Sequence, residues 1–162
     1  MLQRFALLLL ILVLVCSVGV QTGSSQNKPI QVALFNPIQI FPEGSSIGGL
    51  RLDIIYGKNA SVTGLDIGLV NMLSADMKGL QWGLVSVTDG STTGLQWNFV
   101  SNTKGKMEGL QLGFYNSGGH VSGVQLGFIN HAGTMYGLQI GLVNIIDQGG
   151  MFPFFPIVNW SF

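Results

Sequence analysis

The residues best placed for chemistry are Arg51 and Asp66, a cation and an anion 15 positions apart in otherwise apolar or amide-bearing segments. A guanidinium and a carboxylate pair through two parallel N–H···O bonds. Inside a narrow β structure such a pair is a staple that compensates two buried charges. In a wider pore the same pair would select ions. The staple is the expected role, because a small barrel leaves little lumen. Other constellations are missing. His120 and His131 neighbour glycine-rich turn signals, with no cysteine or paired carboxylate at metal-ligand spacing. The serines cluster in turn segments, so no Ser–His–Asp arrangement is indicated. The chain is therefore expected to be no enzyme and to carry no metal or cofactor.

The elements that position Arg51 and Asp66 are repeats. GLDIGLVN (64–71) recurs as GLQWGLVS (79–86), GLQWNFVS (94–101), GLQLGFYN (109–116), GVQLGFIN (123–130) and GLQIGLVN (137–144), at spacings of 15, 15, 15, 14 and 14. GLRLDIIY (49–56) is a degenerate earlier copy. Arg51, Asp66, Gln81, Gln96, Gln111, Gln125 and Gln139 fill the same place in each copy. Apolar residues alternate around them, which is the pattern of a β-strand. One face carries Leu, Ile, Trp and Phe; the other carries the amide or charged residue between two small ones, most often glycines. Met72, Met77, Met107, Met135 and Trp82 fit the same alternation as packing or lipid-facing groups.

A period this short suits an antiparallel meander, with one strand and one turn per repeat, or a parallel β-solenoid, with one coil per repeat. TDG (88–90), TKG (103–105), SGG (117–119) and HAG (131–133) carry glycine where hairpin turns need φ > 0. A parallel return requires about a dozen residues. Near-palindromic strands such as MEGLQLGFY (107–115) would present the same layers in either direction. These features favour an all-β, up-and-down antiparallel meander over residues 30–162. It would close as a barrel of about eight strands, of the outer-membrane type. Three rings of Leu, Trp and Phe would overfill such a barrel. The glycine and glutamine face is therefore expected inside, with the bulky face toward lipid. A β-solenoid or a soluble β-sandwich is the alternative. Nine candidate strands fit the chain, from 30–41 to 151–162, and Pro37 removes the first from the regular set.

Composition agrees with export. Lys plus Arg equals Asp plus Glu at seven each, and charged residues make up only 9% of the 162. That balance gives no electrostatic reason to bind nucleic acid. Arg4 precedes an apolar run from Phe5 to Val15, then Ser17 and Gly19 at cleavage-site positions. Residues 1–19 have the form of a secretory signal peptide. Residues 20–29 are polar and form a leader. Cys16 is the only cysteine, so a chain cut after Gly19 would contain no disulfide.

The chain finishes PIVNWSF, with Val158, Trp160 and Phe162 at alternate positions. Such an ending resembles the assembly signal of outer-membrane barrels, so Trp160 and Phe162 are the candidate signal residues. LFNPIQIFPE (34–43), the block GLRLDIIYGKNASVTGLDIGLVN (49–71), the tandem GLQxGxxN units and FPFFPIVNWSF (152–162) resemble the surface-repeat proteins known from Leptospira. The resemblance implies an exported, surface-associated bacterial protein with a structural or interaction role, and it carries no catalytic residues. The expected partner is the lipid bilayer of the outer membrane, with a surface or host partner also open. The alternative is a soluble secreted repeat protein that binds a surface partner or polymerises.

Overall fold

The computed structural model describes residues 27–162; the signal-peptide segment 1–19 and residues 20–26 of the leader lie outside them. Seven strands form one sheet: β1 (Lys28–Phe35), β2 (Ile38–Gln39), β3 (Ile47–Asn59), β4 (Val62–Leu73), β5 (Met77–Thr88), β6 (Thr92–Gln148) and β7 (Phe154–Ser161). Their order is β2-β1-β3-β4-β5-β6-β7.

The pairing through the repeats is parallel. Leu65 faces Leu80, and Leu80 faces Leu95, each in register with the equivalent residue one repeat on. β1 with β3 and β3 with β4 are also parallel. This corrects the expected antiparallel meander and removes the barrel built on it. The chain winds as a right-through stack of coils, the β-solenoid that stood as the alternative. β6 runs for 57 residues because it winds through several coils without a break in strand geometry.

The turn signals deceive for a physical reason. A parallel crossover needs a dozen residues when a separate segment must carry the chain back. In a coil, the second half of the same repeat is itself a strand and makes the return. SGG and HAG lie inside β6 as coil corners, not as hairpins. The corners stack on one another: the Gly105 amide donates to Gly90 O (3.0 Å), and the Gly90 amide to Ala75 O (3.1 Å).

The inside of the coil is narrow and mostly polar. In the coil beginning at Met77, the side chains of Met77, Gln81, Ser86 and Thr88 are buried, while Leu84 and Val85, adjacent in sequence, both stay outside. That break in alternation marks the corner between the two sides. Two small apolar clusters share the lumen with these polar groups. Ile47, Val62, Leu73 and Met77 form one; Met107, Val121, Ala132, Met135 and Ile146 form the other.

The first glycine of each motif has its own function. Gly64, Gly79, Gly94, Gly109, Gly123 and Gly137 all have φ between 122° and 144°. L-residues avoid this region. A Cβ on any of the last five would overlap the carbonyl oxygen of the equivalent glycine one coil earlier. Glycine is thus required for coil-to-coil approach and for a backbone bend, not to relieve crowding in a barrel.

Both ends are closed. β2 is a two-residue strand folded antiparallel on β1. β7 reverses and pairs antiparallel with the last coil, Gly137 to Ser161 and Gln139 to Asn159. Pro156 removes a donor from β7, and Ile157 beside it has φ 72°. Short or proline-bearing edges resist pairing with further chains. Trp160 lies opposite Leu138 and meets Phe152 edge-on at 6.4 Å. Phe162 is exposed and sits edge-on to Tyr136 at 5.8 Å. Both residues belong to this C-terminal lid. An assembly role that depends on barrel closure has no barrel here to act on.

Candidate functional site

The residues sharing the central position of each repeat form one hydrogen-bonded chain along the lumen. Gln139 Nε2 donates to Gln125 Oε1 (2.8 Å), Gln125 to Gln111 (2.7 Å), Gln111 to Gln96 (2.8 Å), and Gln96 to Gln81 (2.8 Å). Gln81 then donates to Asp66 Oδ2 (2.7 Å), and Asp66 accepts both Arg51 Nε (2.7 Å) and Nη2 (2.8 Å). All seven side chains are fully buried. The staple geometry expected of Arg51 and Asp66 is present, and parallel pairing sets them directly opposite.

Residue chemistry explains the order. Each amide both donates and accepts, so a row of glutamines can repeat without limit. An ionised carboxylate only accepts, so Asp66 receives donors from both sides. A guanidinium only donates, so Arg51 ends the row. Arg51 also reaches Met72 O (3.1 Å). At the other end Gln139 Oε1 has no hydrogen-bond partner among the described residues.

A second internal ladder was not recognised in the sequence. Asn116 donates to Asn130 Oδ1 (2.9 Å), and Asn130 to Asn144 Oδ1 (2.8 Å), while the same amides bond backbone carbonyls across the coil. The signal was available: Ser or Asn recurs five residues after each central Gln from Ser86 to Asn144. It reads equally well as the polar end of a strand.

Asp53 is the unusual buried group. It stands where other repeats place glycine, opposite Gly68. Gly57 makes room for it, since a Cβ there would overlap the Asp53 carboxylate. A shift in register between Asp53 and Tyr56 widens this coil by one residue. Asp53 Oδ2 is 3.2 Å from Arg51 Nε, yet neither oxygen accepts a well-formed hydrogen bond among the described residues. Burial raises its pKa to about 7; Arg51 opposes the shift and Asp66 adds to it. Two carboxyls share one guanidinium, and Asp66 has the better geometry.

His131 bonds Asp147 across coils at 3.0 Å, and His120 Nδ1 lies 2.6 Å from Thr134 Oγ1. Both are in strand rather than in hairpin turns. No group of three His, Cys, Asp or Glu that could hold a metal occurs among the described residues.

No family, characterised protein or solved structure matches the chain. The functional reading therefore rests on its surface. The polar interior leaves the large apolar residues outside. Leu80, Trp82, Leu84, Trp97, Phe99, Phe114, Leu126, Phe128 and Leu142 are 39–57% exposed. They form straight columns, because each coil repeats the same positions. Phe99, Phe114 and Phe128 stack at 5.0 and 4.9 Å with nearly parallel rings. A groove of about 360 Å³ runs between columns at one end, walled by Ile54, Ile67, Leu69, Trp82 and Leu84. A second of about 430 Å³ lies at the other, walled by Leu126, Phe128, Ile140 and Leu142. At the usual ~4.8 Å between strands, the five coils from Leu80 to Leu142 carry these columns over roughly 20 Å, and a contiguous exposed apolar surface of this kind marks an interaction site.

Proposed function

We propose that the protein is an exported, surface-associated bacterial repeat protein that acts by adhesion and not by catalysis. Its working surface is the apolar edge of the solenoid, covered in the functional state. The observation that carries this reading is the inversion of the usual pattern: Gln, Asn and Ser inside, Leu, Trp and Phe outside. A buried amide ladder holds the coils together, so the apolar columns are not needed as core and are free to bind. The signal-peptide form of residues 1–19 and the resemblance to Leptospira surface-repeat proteins support export to the cell surface. Blunted ends argue against end-to-end polymerisation through strand addition.

The test is surface labelling of intact producing cells with a membrane-impermeant amine reagent. Lys104 and Lys106 are exposed and are the expected sites of modification. Labelling without lysis, together with release into the medium of a chain carrying Leu84→Ser, Phe99→Ser and Phe128→Ser, is the expected result. Labelling only after lysis would overturn the surface assignment.

A further inference from the structure

We propose that the occupant of the apolar edge is the hydrocarbon of a lipid leaflet, entered edge-on by a solenoid whose axis lies in the membrane plane. This rests on the reading of the edge as the working surface and names its partner.

Three features select lipid over a second copy or another protein. The first is the shape of the apolar surface. It wraps the corner of the coil. Leu80, Trp82 and Leu84 lie on one side, and the column Val85, Val100, Ile129 and Val143 faces outward just past the corner on the other. A flat protein interface would cover one side, whereas a leaflet covers both sides of a wedge.

The second is the placement of charge. Asp76, Lys78, Asp89, Lys104, Lys106 and Glu108 all stand at the opposite end of the coil cross-section. The apolar columns from Leu65 to Leu142 contain no outward charge. This is the segregation of an interfacial element, which sinks its apolar face about 5–10 Å below the headgroups.

The third is the depth order along one side of the wedge. Leu84, Phe99 and Phe128 stand at the tip, where the corner enters deepest. Trp82 and Trp97 stand two residues up the side, roughly 7 Å from the tip at the rise of a strand. That is the level at which indole prefers to sit, with its apolar body in hydrocarbon and its N–H toward headgroups. Backbone pairing from coil to coil leaves few unsatisfied groups to resist entry.

The charges at the far end are of both signs, and the formal net charge of the chain is zero. Binding is therefore expected to show no preference for anionic lipid and little salt dependence.

The test is flotation of the purified mature chain with phosphatidylcholine vesicles at 0.1 M and 1 M NaCl, in Trp160→Phe background. Brominated acyl chains report on Trp82 and Trp97 by quenching. The expected result is flotation at both salt concentrations, with quenching of the remaining tryptophans. The variant Leu84→Ser/Phe99→Ser/Phe128→Ser should lose at least tenfold in vesicle affinity while keeping its β-sheet circular dichroism. Flotation of that variant at full strength would overturn the proposal, since attachment would then lie elsewhere in the chain. A chain that stays with the soluble fraction as a dimer would replace lipid by a second copy. A soluble monomer whose edge still binds an apolar dye would overturn lipid yet leave the adhesive edge standing. Unaltered cell-surface retention of the triple variant would overturn the adhesive edge itself.

Discussion

Replacing Gly109 by alanine is expected to destabilise the protein by at least about 3 kcal/mol, a large fraction of the whole stability of an ordinary domain. Gly109 has φ 122°, and its Cβ would overlap Gly94 O in the coil before. The obstacle is backbone, so no side-chain rotation relieves it, and any shift propagates into the stack. Gly44→Ala is the control. Gly44 has nothing within 4 Å of its Cβ position, so substitution should be neutral or slightly stabilising. Chemical denaturation of the two variants checks the contrast. Equal midpoints would mean that the coils do not approach through these glycines.

The second large effect concerns pH. Asp53 has its pKa raised from 3.8 to about 7 in the folded chain, chiefly by burial. Between those values the folded state retains a proton that the unfolded state has released. Stability must then fall as pH rises through this window and level off above about pH 7, by roughly 1.4 kcal/mol per unit at the steepest. Glu108 is shifted the opposite way by its Lys106 partner, but it lies in water and its influence is small. Asp53→Asn keeps the shape and cannot ionise. It should flatten the profile between pH 4 and 7 and gain on the order of 4 kcal/mol over the parent at pH 8. Denaturation midpoints at four or five pH values decide the matter. A parent chain that gains stability from pH 4 to 7, or a variant with the same slope, would contradict this account of Asp53.

Much of the site can be read from the sequence, because stacking repeats turns spacing into contact. Arg51 and Asp66 are one repeat apart at the same position, so they meet in either a meander or a solenoid. The sidedness of the strands is equally legible. A column of glutamines between small residues cannot be the outer face of anything that must bury Leu, Trp and Phe inside a narrow tube. Strand direction is another matter. TDG and TKG offer the tight bend that a hairpin needs, and a solenoid corner needs the same bend, although Gly90 and Gly105 make it without the positive φ found at the first glycine of each motif. Local turn chemistry cannot separate a reversal from a corner; only the second half of the repeat can. There, VSVT (85–88) and VSNT (100–103) alternate as strands in their own right, with Ser86 and Thr88 inward. Asp53 reads in the sequence as a mid-strand charge that departs from the motif glycine, and no more than that, for a related reason. Its importance depends on a glycine column that exists only when coils stack in parallel.

Parallel stacking of one coil per repeat is the claim on which the inverted surface, the amide ladder and the lipid-facing edge all depend. The distance between spin labels at Asp89→Cys and Lys104→Cys, in a chain carrying Cys16→Ser, tests it most directly. Asp89 and Lys104 occupy the same corner of successive coils, and their side chains form an ion pair at 2.6 Å. Stacked coils place the two backbones about 5 Å apart, so strong dipolar broadening of the spectrum is the predicted result. In an antiparallel meander these corners would lie at opposite ends of a strand, roughly 30 Å apart. An unbroadened spectrum with a separation of that length would contradict the solenoid and everything drawn from it.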